Sequence, residues 1–106
     1  MTRPDVPFFP LAADALNLAD AWSVLAESGE CRFDPDLHAG PDRPESEHER
    51  AARLHVAREL CGSCPVRALC LRFALQVRPK AGVWAAFTAE EIGELAHDLA
   101  AFAEVA

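Results

Sequence analysis

The chain has 106 residues and a net charge of −7, with 10 Lys or Arg against 17 Asp or Glu. That length fits one small domain with a modest core, and the acidic balance argues against nucleic-acid binding by the overall field of the molecule. The apolar run Val83 to Phe87 is far too short to span a bilayer, and Asp5, Pro7, Pro10 and Asp14 interrupt any secretory core, so a soluble, cytoplasmic chain is expected.

Prolines at positions 4, 7 and 10 keep the start of the chain extended around Phe8 and Phe9. Leu11, Ala15, Leu18, Trp22 and Leu25 recur at spacings of four and three, the stripe of an amphipathic helix ending near Ser28–Gly29. Cys31 to Pro44 contains three prolines and a glycine and reads as a loop. A charged helix is predicted from Glu45 to Leu60, with Ala51, Leu54, Ala57 and Leu60 on its apolar face and Gly62 as its stop. Pro65 suits the first position of a third helix, which carries Val66, Leu69, Phe73 and Val77 on one face and stops before Pro79. Ala81–Gly82 turns the chain into a short extended piece, Val83-Trp84. Thr88 and Glu91 form a capping box for the last helix, with Phe87 and Ile92 as its staple and Ile92, Leu95, Leu99 and Phe102 as its buried stripe. The predicted fold class is all-α, a small bundle of about four helices organised around a cysteine site.

Four cysteines carry the chemistry: Cys31, Cys61, Cys64 and Cys70. Cys61 and Cys64 make a C-x2-C pair that can grip one centre around the tight Gly62-Ser63 turn, and the start of the third helix favours a thiolate at Cys64. Four thiolates suit either zinc or an iron–sulfur cluster. Zinc sites of this kind usually use two C-x2-C knuckles, and here there is one knuckle and two single cysteines. Disulfides, or a dithiol redox pair, are the remaining readings, although a thioredoxin-like pair belongs in a βαβ context that is absent here. The charge is uneven around this set. Residues 31–80 hold nine basic residues against seven acids, whereas residues 81–106 hold five acids and no Lys or Arg.

The run Cys61-Gly62-Ser63-Cys64-Pro65-Val66-Arg67-Ala68-Leu69-Cys70, followed by Leu71-Arg72-Phe73-Ala74-Leu75, resembles the core motif of the WhiB-like proteins of actinobacteria. Cys31-Arg32 with Asp34-Pro35 resembles the family's first cysteine and its nearby Asp, and Gly82-Val83-Trp84 resembles its G-[VI]-W-G-G turn. The ordered set spans residues 31–91. The resemblance implies a single domain over residues 1–106, with a cluster-binding core at 31–80, a tryptophan turn at 82–86 and an acidic helix at 88–104. It further implies a 4Fe–4S cluster held by Cys31, Cys61, Cys64 and Cys70, and a redox-responsive transcriptional regulator rather than an enzyme. The implied partner is region 4 of the primary sigma factor, contacted through Gly82, Val83 and Trp84, with oxygen or nitric oxide as the attacking oxidant. Three departures stand out. Ala85 and Ala86 replace the two family glycines, so a positive φ at either costs about 1 kcal/mol. Leu37-His38 stands where the family often has aromatics. Members that bind DNA carry a basic tail, whereas no Lys or Arg follows Lys80, so DNA contact is expected only through the partner.

Of the aromatics, Trp84 on its turn reads as a partner contact, and Trp22 on its helical stripe reads as core, with a position covering the cysteine site as the alternative. His38, His48, His55 and His97 stand at no ligand spacing and read as solvated or structural. Arg50, Arg53, Arg58, Arg67, Arg72 and Arg78 read as a solvated surface paired with Glu45, Glu47, Glu49 and Glu59. The acidic last helix reads as a soluble face or as a complement to a basic partner. No nucleophile–base pair or phosphate loop is present.

Overall fold

A computed structural model describes residues 17–105 of the chain. The extended start and the first part of the first predicted helix, with Leu11 and Ala15, lie outside the described residues. Helix α1 runs over Leu18–Ser28, capped by the Asn17 side chain, which accepts from the Asp20 N–H. Its C-terminal stop is Gly29, whose N–H donates to Leu25 O at 2.8 Å. A Cβ at position 29 would lie 2.7 Å from that same oxygen, so only glycine closes the helix this tightly. A 3-10 turn over Glu30–Phe33 and a short helix α2 over Pro35–Ala39 follow, in a segment expected to be loop. Pro35 at the first helical position, where no N–H is needed, accounts for α2.

Helix α3 spans Glu47–Gly62 and opens on a capping box, Ser46 with Glu49, that the sequence reading overlooked. Its buried residues are Leu54, Ala57 and Cys61, while Ala51 is exposed; the stripe therefore runs one residue later at its C-terminal end than expected. Helix α4 spans Arg67–Val77, bent 119° from α3. It starts two residues later than Pro65 suggested. Consecutive three-residue turns, Cys64 N to Cys61 O and Arg67 N to Cys64 O, precede the first helical bond from Cys70 N to Val66 O. Cys64 therefore lies ahead of the helix rather than within its first turn. The buried face of α4 is Leu71, Phe73 and Ala74, and Val77 is exposed. The helix ends where Arg78 adopts a left-handed conformation with φ 54° before Pro79.

The largest departure from an all-α fold follows. Strands β1 (Val83–Trp84) and β2 (Phe87–Thr88) form an antiparallel hairpin, with Val83 opposite Thr88 and Trp84 opposite Phe87. Its two-residue loop is Ala85-Ala86, with φ of 56° and 77°. Positive φ at both positions is the type I′ geometry that matches strand twist and normally takes Asn or Gly. Alternation was too short here to signal a strand pair. Helix α5, Ala89–Val105, then starts as expected: Thr88 N donates to Glu91 Oε1 at 2.9 Å and Glu91 N to Thr88 Oγ1 at 3.2 Å. Phe87 and Ile92 are both fully buried in one cluster with Leu71, Ala74, Ala85 and Leu95. Leu99 packs on its edge, but Phe102 is 66% exposed, so the buried stripe ends a turn early. Among the described residues, no single helix is long and apolar enough to cross a membrane.

Arginines fix the hairpin from behind. Arg58 on α3 donates to Ala86 O at 3.3 Å and pairs with Glu91 at 3.0 Å, and Arg67 on α4 donates to Ala85 O at 3.1 Å. Arg53 makes a two-bond fork to Glu45 at 2.6 and 3.1 Å and holds Leu37 O at 3.1 Å, tying α2 to α3. The Arg53–Glu45 pairing is as expected, but all three arginines are half-buried and tie elements together rather than forming a solvated surface. The Arg58–Glu91 pair is largely buried, and its methionine substitution strands a carboxylate. Arg58→Met is expected to cost about 3 kcal/mol in urea unfolding, with Arg58→Met/Glu91→Gln recovering part of it.

The alanine methyls of the loop offset its strain. Ala85 packs with Leu71 and Ile92, and Ala86 with Leu54, Ala57 and Cys61. A buried methyl contributes about 0.8 kcal/mol, close to the cost of about 1 kcal/mol for a left-handed alanine. Ala85→Gly and Ala86→Gly should therefore each shift stability by less than about 1 kcal/mol, whereas Ala86→Val, with a branched Cβ at positive φ, should cost more than about 2 kcal/mol in the same unfolding measurement.

Candidate metal centre

All four cysteines line one cavity of about 510 Å³. They arrive on separate pieces of backbone. Cys31 comes from the 3-10 turn, Cys61 from the last turn of α3, Cys64 from the α3–α4 turn and Cys70 from the first turn of α4. The remaining wall is mostly apolar, including Trp22, Leu25, Val66, Val83 and Trp84; the other polar lining residues are Glu30, Arg32, His38 and Arg67. Among the described residues, no three His, Cys, Asp or Glu side chains converge closely enough to hold one metal ion. The four sulfur donors thus line one space. A set of four thiols of that kind fits a metal group that Cys31, Cys61, Cys64 and Cys70 would hold.

The cysteines differ in their surroundings. Cys61 is buried and Cys31 exposed, with Cys64 and Cys70 between. Burial pushes the Cys70 thiol up to about 12, and it raises Cys61 and Cys31 as well. Hydrogen bonds from the hairpin loop oppose that rise: the Ala85 N–H is directed to Cys70 and the Ala86 N–H to Cys61. The two successive left-handed residues therefore form a small nest, with their N–H groups on the cysteines and their carbonyls on Arg67 and Arg58. Without a bound metal, Cys61, Cys70 and Cys31 are held as thiols, and metal binding must displace their protons. A dithiol reductase needs an exposed, acidic attacking cysteine. Cys61 is neither, so the arrangement counts against that reading.

The tryptophan turn belongs to the wall of the cavity. Trp84 stacks on Phe73, with centroids 6.0 Å apart, and its Nε1–H donates to Ala81 O at 2.8 Å. Gly82, with φ 92°, makes room for it: a Cβ there would come within 3.1 Å of the indole nitrogen. Val83 is buried against Leu54 and Cys61, so of the turn's three residues Trp84 offers the largest side chain with remaining accessible surface. Trp22 is 53% exposed rather than core; its ring lies 5.8 Å from Phe73 and it lines the cavity, the alternative position its stripe allowed. A helix face shared between core and cavity has the same period as one facing core alone.

One site residue was missed. His48, His55 and His97 are exposed, but His38 is 6% exposed, with Nε2 3.4 Å from Cys61 Sγ. Its Nδ1 has no hydrogen-bond partner. Nothing in the spacing pointed to it, because α2 was read as loop. Burial lowers its pKa, against a backbone hydrogen bond to Ala57 and the nearby Asp34, which raise it.

The transcription factor WhiB family matches residues 26–95 of the chain. Transcriptional regulator WhiD of Streptomyces coelicolor is 43% identical over 75 residues, which cover 70% of this chain and 63% of that relative. The chain therefore aligns with less than two thirds of the relative's length. The matched span encloses the four cysteines, the hairpin and the start of α5, and the chain belongs to the WhiB family of transcription factors.

Proposed function

We propose that the chain is a redox-responsive transcriptional regulator that holds a 4Fe–4S cluster and acts by binding region 4 of the primary sigma factor. The observation that carries the cluster is that all four cysteines line one cavity. One C-x2-C knuckle with two single cysteines, rather than two knuckles, favours a cluster over zinc. When bound, the cluster would supply sensitivity to oxidants such as oxygen or nitric oxide. The chain's own residues couple the site to the surface. Cys31 ties the segment after α1 to the cavity, and Cys61 and Cys70 meet the N–H groups of the Ala85-Ala86 loop. Trp84 lies next to that loop on the same wall, so displaced cysteines would displace the tryptophan turn.

The charge distribution supports a protein partner over direct DNA contact. Residues 81–106 carry five acids and no Lys or Arg. Three arginines of the middle segment are turned inward to Glu45, Glu91, Leu37 O, Ala85 O and Ala86 O. The acidic helix α5 complements a basic, DNA-binding partner domain.

Anaerobic purification should yield a brown protein with about four irons and four sulfides per chain, and Cys→Ser at position 31, 61, 64 or 70 should strongly reduce both counts. A colourless protein with one zinc would replace this reading with a zinc-bound interaction module. Trp84→Ala should weaken binding to isolated sigma region 4 by about 30-fold or more, as for a central aromatic anchor, in titrations of protein with matched iron content. Unchanged affinity would remove the tryptophan turn from the interface.

A further inference from the structure

We infer that His38 is a positioning residue of the metal centre, donating its Nε2–H to the Cys61 sulfur; the inference rests on the metal reading above. A metal-bound cysteine is a thiolate and accepts hydrogen bonds only. Toward it, the nitrogen at 3.4 Å must be the protonated one, with the Ala57 carbonyl as the ring's backbone partner and Nδ1 left without a hydrogen-bond partner. A buried polar atom left unpaired destabilises the fold. A leucine or phenylalanine would fill the same pocket without that cost. What the imidazole adds is a hydrogen bond to a charged sulfur, which is stronger than a neutral one.

The ring is placed for this task by its neighbours. Arg53 holds the carbonyl of Leu37, the preceding residue, and Gly82 packs within Cβ reach of the His38 carbonyl. Cys61 therefore receives N–H groups from two sides, Ala86 on the hairpin and His38 on α2, while Cys31 stands exposed at the mouth. N–H···S bonds withdraw charge from the sulfur. They raise the potential of the centre and slow release of its metal.

The test uses the full chain loaded anaerobically, with His38→Leu, which keeps volume and removes the donor, and His38→Gln, which keeps an N–H near the Nε2 position. His38→Leu should release iron to a chelator about tenfold faster than wild type. Its midpoint potential should move lower, and the metal-free form should keep wild-type helicity. His38→Gln should restore most of both readouts. Equal release rates and equal potentials in wild type and His38→Leu would overturn the inference. So would equal losses in His38→Leu and His38→Gln, which would make the role one of packing. If wild type carries zinc instead of iron, the release rate alone decides in the same way. A wild-type chain that takes up neither metal overturns the metal reading, and this inference with it.

Discussion

Four thiols on four stretches of backbone must face one space, and the Ala85-Ala86 loop is where the molecule meets that demand. Two consecutive left-handed residues turn both amide N–H groups toward Cys70 and Cys61 and both carbonyls toward Arg67 and Arg58. The same two methyls fill the two core clusters on either side, one shared with α4 and α5 and one with α3. Strain, packing and polar satisfaction therefore converge on two residues. Backbone strain of this kind persists only where surrounding contacts over-determine it. Here the Arg58–Glu91–Thr88 chain supplies those contacts by linking α3 to the start of α5 through the loop.

The legibility of the chain follows from the range of each interaction. The Thr88–Glu91 cap, the Phe87–Ile92 staple and the stop before Pro79 involve residues a few positions apart, and they stand where the sequence places them. The pairing of Cys61 and Cys64 around one turn was legible because C-x2-C spacing is local, whereas Cys31 reaches the same cavity only through the fold. The hairpin was not legible, because two-residue strands carry no periodicity and alanine is a poor marker for a left-handed turn. Arg58, 33 residues before Glu91, and His38, 23 residues before Cys61, find their partners only through the fold. Surface pairing was the reasonable expectation for such arginines. Burial decided otherwise, since the carbonyls of a strained interior loop need donors.

The inward arginines also shape the functional reading. The middle segment is the only one with an excess of basic residues, yet Arg53, Arg58 and Arg67 are engaged with internal carboxylates and carbonyls. Arg32, Arg43, Arg50, Arg78 and Lys80 stay exposed on the middle segment, whereas α5 presents an acidic surface and Trp84 is half-buried beside the cysteine cavity. An acidic helix and an accessible tryptophan beside the cavity are the features on which the proposed protein partner rests.

Native mass spectrometry of the anaerobically purified chain tests the central claim most directly, because the nature of the bound group sets the added mass. The account predicts a single folded species heavier by one 4Fe–4S cluster, with all cysteines reduced. A species carrying one zinc ion, or one lighter by the protons lost to disulfides, would contradict it.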